Sequence, residues 1–367
     1  MPDRPPASVQ PSFIWLSVAA LLTIHFALWS YITATSDLTW LTILGNWDSG
    51  HYVQIVKEGY SVNNWAFLPL YPTLLGIFSH LTRLQNVPQI AGSILSSAIF
   101  IAWIAGITAI AQRPNLSLTE ASLWHPKTRL GWLFFAFSPA SFAFHTNHTE
   151  SLFLALSFSS LYLARTGRWL PSAVLAGLST LTRNQGVFVI TIAAYLAAQH
   201  LKTLRSRLQR VITLCAIATP FGLSYILYQY LETGNPLKSV SVQSEWSQAT
   251  SLLSVLKTFW FGNEWQNTEL GSILHHAVFF VVVGVAIAIW KASPPLSAYL
   301  LVSMGVMLLQ GELVNVFRYG AVLFPAWFWL GDRLSRTPAW LRYSAIALLV
   351  GLNLAVTRNY ALARWAY

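Results

Sequence analysis

The run Phe13-Ile-Trp-Leu-Ser-Val-Ala-Ala-Leu-Leu-Thr-Ile-His-Phe-Ala-Leu-Trp-Ser-Tyr-Ile-Thr33 contains no Asp, Glu, Lys or Arg, and its one histidine is His25. About 20 apolar residues, each rising 1.5 Å in a helix, cross the roughly 30 Å hydrocarbon core of a bilayer. The run is too long for the core of a cleaved signal peptide, so it is expected to remain as a first helix behind the polar, proline-rich residues 1–12. Further apolar runs follow at about 89–111, 130–146, 150–164, 169–182, 185–199, 211–231, 271–290, 295–311, 318–331 and 341–357. Their lengths suit helices rather than barrel strands, since each span must satisfy its own backbone hydrogen bonds in hydrocarbon. The expectation is one all-α, polytopic membrane domain over residues 1–367 with about eleven transmembrane helices.

Composition points the same way. The 367 residues are 55% hydrophobic and 9% charged, with a mean hydropathy of +0.52, whereas soluble domains carry about 25% charged residues. The net charge of +10 could indicate nucleic acid, but the basic residues sit in loops between apolar runs rather than on one soluble face. They read as orientation signals next to membrane lipids, with no nucleic-acid partner. The single cysteine, Cys215, lies inside an apolar run, which leaves no disulfide framework and no cysteine metal site within the chain.

Topology follows from lysine and arginine. With a cytoplasmic amino terminus, and with the short, proline-led segment 67–81 re-entrant or lying on the outer surface, 14 of the 22 basic residues fall in inner loops. The densest inner group is Lys202, Arg205, Arg207 and Arg210, as the positive-inside rule expects. If 67–81 crossed, that group would face out. Two larger external loops result, at about 35–88 and 232–270, and Asp48, His51, His145, His148, Glu150, Arg183, Lys238, Glu245, Trp246, Glu312 and Arg318 all fall on the external side. Almost nothing ionisable is left mid-span apart from His25. A transporter is expected to keep ionisable groups near the midplane, so a cluster on one rim favours an enzyme acting on a membrane-anchored substrate.

The external residues offer several chemistries. In Asn46-Trp47-Asp48-Ser49-Gly50-His51-Tyr52, either Asn46 or Asp48 caps a helix starting near Ser49, or Asp48 is a general base with His51 and Tyr52 three and four residues on along the same face. The two readings are compatible. Pro69 and Pro72 favour a helix start near Pro72 and present Tyr71 there; the alternative is an interfacial belt of Trp65, Phe67 and Tyr71. His145, His148 and Glu150 lie in an apparent external turn and could hold a metal, or Glu150 could simply sit at a helix amino terminus. Arg183 and Arg318 end helices, either as snorkelling anchors or as bidentate donors to a phosphate. Thr233-Gly-Asn-Pro236 reads as a turn, and Trp246, Trp260 and Trp265 offer aromatic faces to a sugar or to the lipid interface.

Taken in order, Trp47-Asp48 with Tyr52 and Gly59-Tyr60, Ala66-Phe-Leu-Pro-Leu-Tyr-Pro72, Ser138-Pro-Ala140, Thr149-Glu-Ser-Leu-Phe153, Thr182-Arg-Asn-Gln-Gly186, Thr233-Gly-Asn-Pro236 with Trp246, and Arg318-Tyr319 before Pro325 resemble the PIG-V mannosyltransferase family. The resemblance implies a GT-C class glycosyltransferase that takes a sugar from a polyprenyl-phosphate carrier and uses an acidic residue of the first external loop. It implies Asp48 as the catalytic carboxylate and Arg318 with Arg183 at the donor phosphate. Trp47, His51, Tyr52, Tyr71, His148, Glu150, Trp246 and Tyr319 would support the substrates. The donor would be a polyprenyl-phosphate-linked mannose or similar sugar, and the acceptor a lipid or glycan hydroxyl, attacked in one inverting displacement. No cofactor is required, although a divalent ion on Asp48 and Glu150 stays open. Asn235 stands at a position often acidic in related sequences, and the compact loops point to a bacterial member of the inner membrane, or of the endoplasmic reticulum membrane if the chain is eukaryotic. The rival class is a transporter or flippase of sugar-linked lipids, motivated by the many helices and by His25.

Overall fold

A computed structural model describes residues 9–111, 122–246, 269–309, 313 and 315–364. Trp260, Trp265 and Glu312, the side chains of Glu245 and Trp246, and most of the 232–270 loop beyond Trp246 lie outside the described residues. Among the described residues every regular element is helical. The expected first span is α1 (Pro11–Thr35), followed by α2 (Trp40–Leu44), α3 (Asp48–Glu58), α4 (Leu70–Leu81) and α5 (Pro88–Ala111). Then come α6 (Arg129–Ala136), α7 (Glu150–Arg165), α8 (Trp169–Thr180), α9 (Gly186–Ala198), α10 (Leu204–Thr233) and α11 (Lys238–Trp246). The chain continues through α12 (Glu269–Ile289), α13 (Pro294–Leu309), α14 (Val316–Ala321), α15 (Phe324–Leu334) and α16 (Ala339–Ala361). Four of these, α1, α5, α10 and α16, are long and apolar enough to cross a membrane, and shorter apolar helices accompany them.

Helix packing separates two ends of the bundle. At one end, the first residue of α7, Glu150, meets Arg183 in the turn between α8 and α9. At the other, Arg165 at the last residue of α7 donates to His200 just beyond α9, with Nη1 to Nε2 at 2.9 Å. The basic residues Arg205, Arg207 and Arg210 lie in the first two turns of α10, and α10 packs against α8 and α9. The segment expected as the first external loop is not loose. It folds into α2, α3 and α4, and α4 returns beside α5 as a hairpin through the turn 82–87, with Tyr71 against Gly92 and Ser96. Twelve residues of α4 rise only about 18 Å, well short of a bilayer core.

Two expected spans are broken instead of continuous. The run 130–146 is helical only to Ala136, because Pro139 has no N–H to donate and disfavours helix in the residue before it; a short 3-10 turn, Ser141–Phe144, follows. The run 318–331 breaks between α14 and α15 at Val322 and Leu323, where Pro325 opens the next helix. The Trp327 indole there donates to the Gly320 carbonyl at 2.8 Å and so satisfies part of the break.

The segment 145–151, expected as an external turn between two spans, is buried in the bundle. Every residue from Phe134 to Leu154 is buried. Irregular backbone inside a bundle needs partners for its polar groups, and neighbouring helices supply them. Asn353 of α16 donates to the Ser138 carbonyl at 2.8 Å and to Ser141 Oγ at 2.9 Å, Ser96 of α5 donates to the His148 carbonyl at 3.0 Å, and Ser151 donates to the Phe144 carbonyl at 2.6 Å. Polar residues of this stretch and of its neighbours are what allow it to be buried.

Candidate active site

The site is built where α3, the buried 145–149 segment, the α8–α9 turn and α14 meet. Trp47 precedes α3 with φ 58° and ψ −132°, a strained conformation for a bulky residue that costs about 1–3 kcal/mol and persists only where its surroundings impose it. They do so here. Asn46 Nδ2 donates to the carbonyls of Tyr360 at 2.9 Å and Ala361 at 3.2 Å, and Ser49 Oγ donates to the Leu44 carbonyl at 2.5 Å. Neither Asn46 nor Asp48 caps α3 with its side chain; Asp48 is the first helical residue. The capping reading is therefore corrected: Asn46 is committed to the last helix, and Asp48 points elsewhere.

Asp48 points at Arg318. Arg318 Nη2 donates to Asp48 Oδ2 at 2.7 Å, while Arg318 Nε donates to Glu150 Oε1 at 2.7 Å. The same Glu150 oxygen accepts from Arg183 Nη1 at 2.5 Å, and Arg183 also donates to Thr149 Oγ1 at 3.1 Å. The Arg183 guanidinium lies over the Tyr319 ring, 4.5 Å from its centroid. Four charges of two signs thus form one chain, Asp48, Arg318, Glu150, Arg183. The Glu150 side chain is 0% exposed and that of Arg318 2%, but the Asp48 side chain keeps 30%. Burial works to raise the Asp48 pKa; the charge and hydrogen bond of Arg318, with His148, outweigh it and hold the carboxyl below its usual range.

The other expected residues are arranged around this chain. His51 stacks on Phe67 at 4.5 Å, and Tyr52 meets Phe67 at 5.3 Å and Tyr71 at 5.0 Å edge-on. Burial pushes the Tyr52 phenol well up, with the Asp48 charge adding to it, so Tyr52 stays protonated. Tyr71 is fully buried, and its hydroxyl donates to Asn147 Oδ1 at 2.9 Å and lies 2.9 Å from Ser96 Oγ. His148 Nδ1 lies 2.9 Å from Thr146 Oγ1 and its ring meets Tyr360 edge-on at 5.5 Å; burial first, then Arg318, pushes its pKa down to about 4. The expected Thr-Gly-Asn-Pro turn closes α10 through Gly234 at φ 71°, and Asn184 of the arginine turn reaches Gln243 of α11 at 3.3 Å.

The three possible metal ligands of 145–150 do not converge. His145 Nε2 lies 2.8 Å from His25 Nδ1, His148 faces Thr146, and Glu150 takes two arginines. The gap between Asp48 and Glu150, the other place considered for a divalent ion, is spanned by the Arg318 guanidinium. Among the described residues no group of three His, Cys, Asp or Glu is arranged to hold a metal.

Residues 19–252 match the family profile described as mannosyltransferase (PIG-V). The chain belongs to the PIG-V mannosyltransferase family. The matched PIG-V region carries Asp48, Glu150 and Arg183, and Arg318 lies beyond it. Similar curated proteins include human GPI alpha-1,6-mannosyltransferase 2, 25% identical over 51% of this chain and 40% of that protein. GPI mannosyltransferase 2 of Schizosaccharomyces pombe is 29% identical over 49% of this chain and 37% of its own length. The corresponding protein of Drosophila pseudoobscura pseudoobscura is 25% identical over 55% and 47%. The matched part of the chain thus spans less than half the length of these PIG-V relatives. No solved structure matches.

Sequence reasoning missed the residue that ties the PIG-V site elements together. Asn147 Nδ2 donates to Ser49 Oγ at 2.6 Å while its Oδ1 accepts from Tyr71, which joins α3, α4 and the buried segment. The signal was present as an unusually polar run, His145-Thr-Asn-His-Thr-Glu150, between two apolar ones.

Proposed function

We propose that this PIG-V family member is a membrane glycosyltransferase that moves a mannosyl residue from a polyprenyl-phosphate-linked donor to a hydroxyl of a glycolipid acceptor, at the outer or luminal membrane face. The observation that carries the reading is the chain Asp48, Arg318, Glu150, Arg183, in which the one carboxylate with solvent access is in contact with a buried guanidinium. The relatives are named as GPI mannosyltransferases, which supports mannose as the sugar.

In this reading the acceptor oxygen forms a bond to the anomeric carbon as the bond from that carbon to the phosphate oxygen breaks, with inversion. Asp48 takes the hydroxyl proton. The bonding electron pair leaves with the phosphate, and Arg318 and Arg183 stabilise the charge that develops on it. A carboxylate held below its usual pKa is a weak base, which suits a reaction whose proton is removed late. Tyr52, Tyr71 and His148 hold the carboxylate's helix and the arginines' partner in place, and Trp47, His51 and Tyr319 border the sugar.

Purified full-length protein in detergent, given radiolabelled polyprenyl-phosphate mannose and a panel of lipid and glycan acceptors, should form labelled product. A transporter or flippase would form none, since transport has no meaning without a sealed membrane. The feature that motivated that rival, His25 in the middle of α1, is engaged by His145 and by Asn353 Oδ1 at 2.7 Å. Orientation is tested separately: a cysteine at Ser206 in a Cys215→Ser background should resist an impermeant thiol reagent in intact cells, and labelling there would reverse the assigned face.

A further inference from the structure

One guanidinium, two carboxylates and unequal access define the question. Arg318 holds Glu150 through Nε and Asp48 through Nη2, each at 2.7 Å. Glu150 is sealed at 0% exposure and shares its Oε1 with Arg183, whereas the Asp48 side chain is 30% exposed. Two acids and two bases make this chain of side chains electrically neutral. A sugar phosphodiester brings one negative charge and needs guanidinium donors, but the donor faces on Glu150 lie behind a buried contact. The reachable contact is the one Asp48 occupies.

We propose that Asp48 and Arg318 form an exchangeable pair which the donor phosphate opens by taking over Arg318 Nη2, and that Glu150 is the positioning residue that keeps Arg318 and Arg183 fixed while this happens. The proposal rests on the donor class assigned above. Its consequence is that the carboxylate becomes a better base only once the donor is seated. While paired, Arg318 holds Asp48 ionised; when the phosphate shares that charge, Asp48 loses the partner that lowered its proton affinity. An acceptor arriving ahead of the donor would meet a carboxylate that is paired off. Glu150 differs in kind, because nothing the size of a phosphate reaches its contacts. The other groups that bear on Asp48 are His148 from the buried segment, His51 and Tyr52 from α3, and Tyr360 from α16.

The test is calorimetric titration of the full-length protein in detergent with a short-chain polyprenyl methyl phosphodiester, a probe with no second ionisation and no sugar to transfer. Titrations near pH 5 in buffers of different ionisation enthalpy count protons exchanged. Wild type should bind with net proton uptake, and Asp48→Asn should bind about 5- to 20-fold more tightly with that uptake abolished. Glu150→Gln should bind at least about 10-fold more weakly, although removing a negative charge would by simple attraction favour an anion. Glu150→Asp, which keeps the charge but shortens the arm by one methylene, should also weaken binding, so the positioning role is tested even if the glutamine variant does not fold. Equal proton counts in wild type and Asp48→Asn would overturn the exchange. Tighter binding by Glu150→Gln, or unchanged binding by Glu150→Asp, would overturn the positioning role. A wild type that does not bind the phosphodiester at all would remove the donor assignment together with this proposal.

Discussion

Arg318 Nη2 meets Asp48 Oδ2 at 2.7 Å across a separation of 270 residues. The contact links the strained start of α3 to a six-residue helix far along the chain, so that the carboxylate of one is coupled to the guanidinium of the other. A buried charge that loses its partner is costly, and each of the four charges here has at least one.

Asp48→Asn should abolish transfer while leaving the fold in place. Asn keeps the shape and can still accept from Arg318 through its amide oxygen, and no helix cap is lost because Asp48 caps nothing. Loss of a general base typically costs about 10²- to 10⁴-fold in rate. Turnover of a monodisperse variant with radiolabelled donor checks this; a rate near that of wild type would make Asp48 structural and pass attention to Glu150.

Each charged member of the site could be singled out from sequence because an ionisable residue at the end of an apolar run is expensive to keep. Their pairing could not, since the partners lie 33, 168 and 270 residues apart and local periodicity carries no information at that range. The irregular course of 138–149 through the bundle was not legible for a related reason. Polar groups of the stretch are engaged by His25, Ser96 and Asn353, each a polar residue on a largely apolar helix that, read by itself, gives no hint of a partner. His25 in particular looked like an ionisable group on a transport path, and its partner His145 looked like a surface ligand. Helix breaks at Pro139 and Pro325 were written in the sequence, but the apolar residues around them outweighed the signal.

Gly92→Ala should impair activity although alanine favours a helix by about 1 kcal/mol over glycine. A Cβ at position 92 would clash with Oδ1 and Cγ of Asn147. Asn147 would have to leave Tyr71 and Ser49, and each buried polar group left unsatisfied costs about 1–3 kcal/mol. The expected result is a lower melting temperature and a fall in turnover out of proportion to it, because α3 carries Asp48. A variant more stable than wild type, as helix propensity alone predicts, would show that the Asn147 contact can yield without loss.

Stability should fall as pH drops from 7 towards 4, in part through His148. Its folded pKa lies near 4 against about 6.5 unfolded. Between those values the unfolded chain binds the extra proton and the folded one does not, so stability rises with pH across that window and is lost on acidification. The full difference is worth roughly 3 kcal/mol. Thermal unfolding in detergent at pH 7 and pH 5 should therefore show a smaller drop in His148→Gln than in wild type. Equal drops would place the imidazole in a better-solvated setting than its 0% exposure indicates.

Arg318→Lys should be nearly as harmful to catalysis as Arg318→Ala, yet much less harmful to stability. Alanine leaves Glu150 and Asp48 without the guanidinium, and breaking a buried ion pair by removing one partner costs about 3–5 kcal/mol. Lysine keeps the charge on a single compact ammonium. It can approach Glu150 or Asp48, but it cannot reproduce Nε on one and Nη2 on the other, nor offer a phosphate two parallel donors. Losing one preorganised donor to a developing oxyanion typically costs about 10²- to 10³-fold in rate. Melting temperatures of the two variants should therefore diverge while their turnover stays similarly low. Lysine turnover close to wild type would mean that position 318 supplies charge alone, and the phosphate clamp would then have to be sought at Arg183, which holds Glu150 and lies over Tyr319.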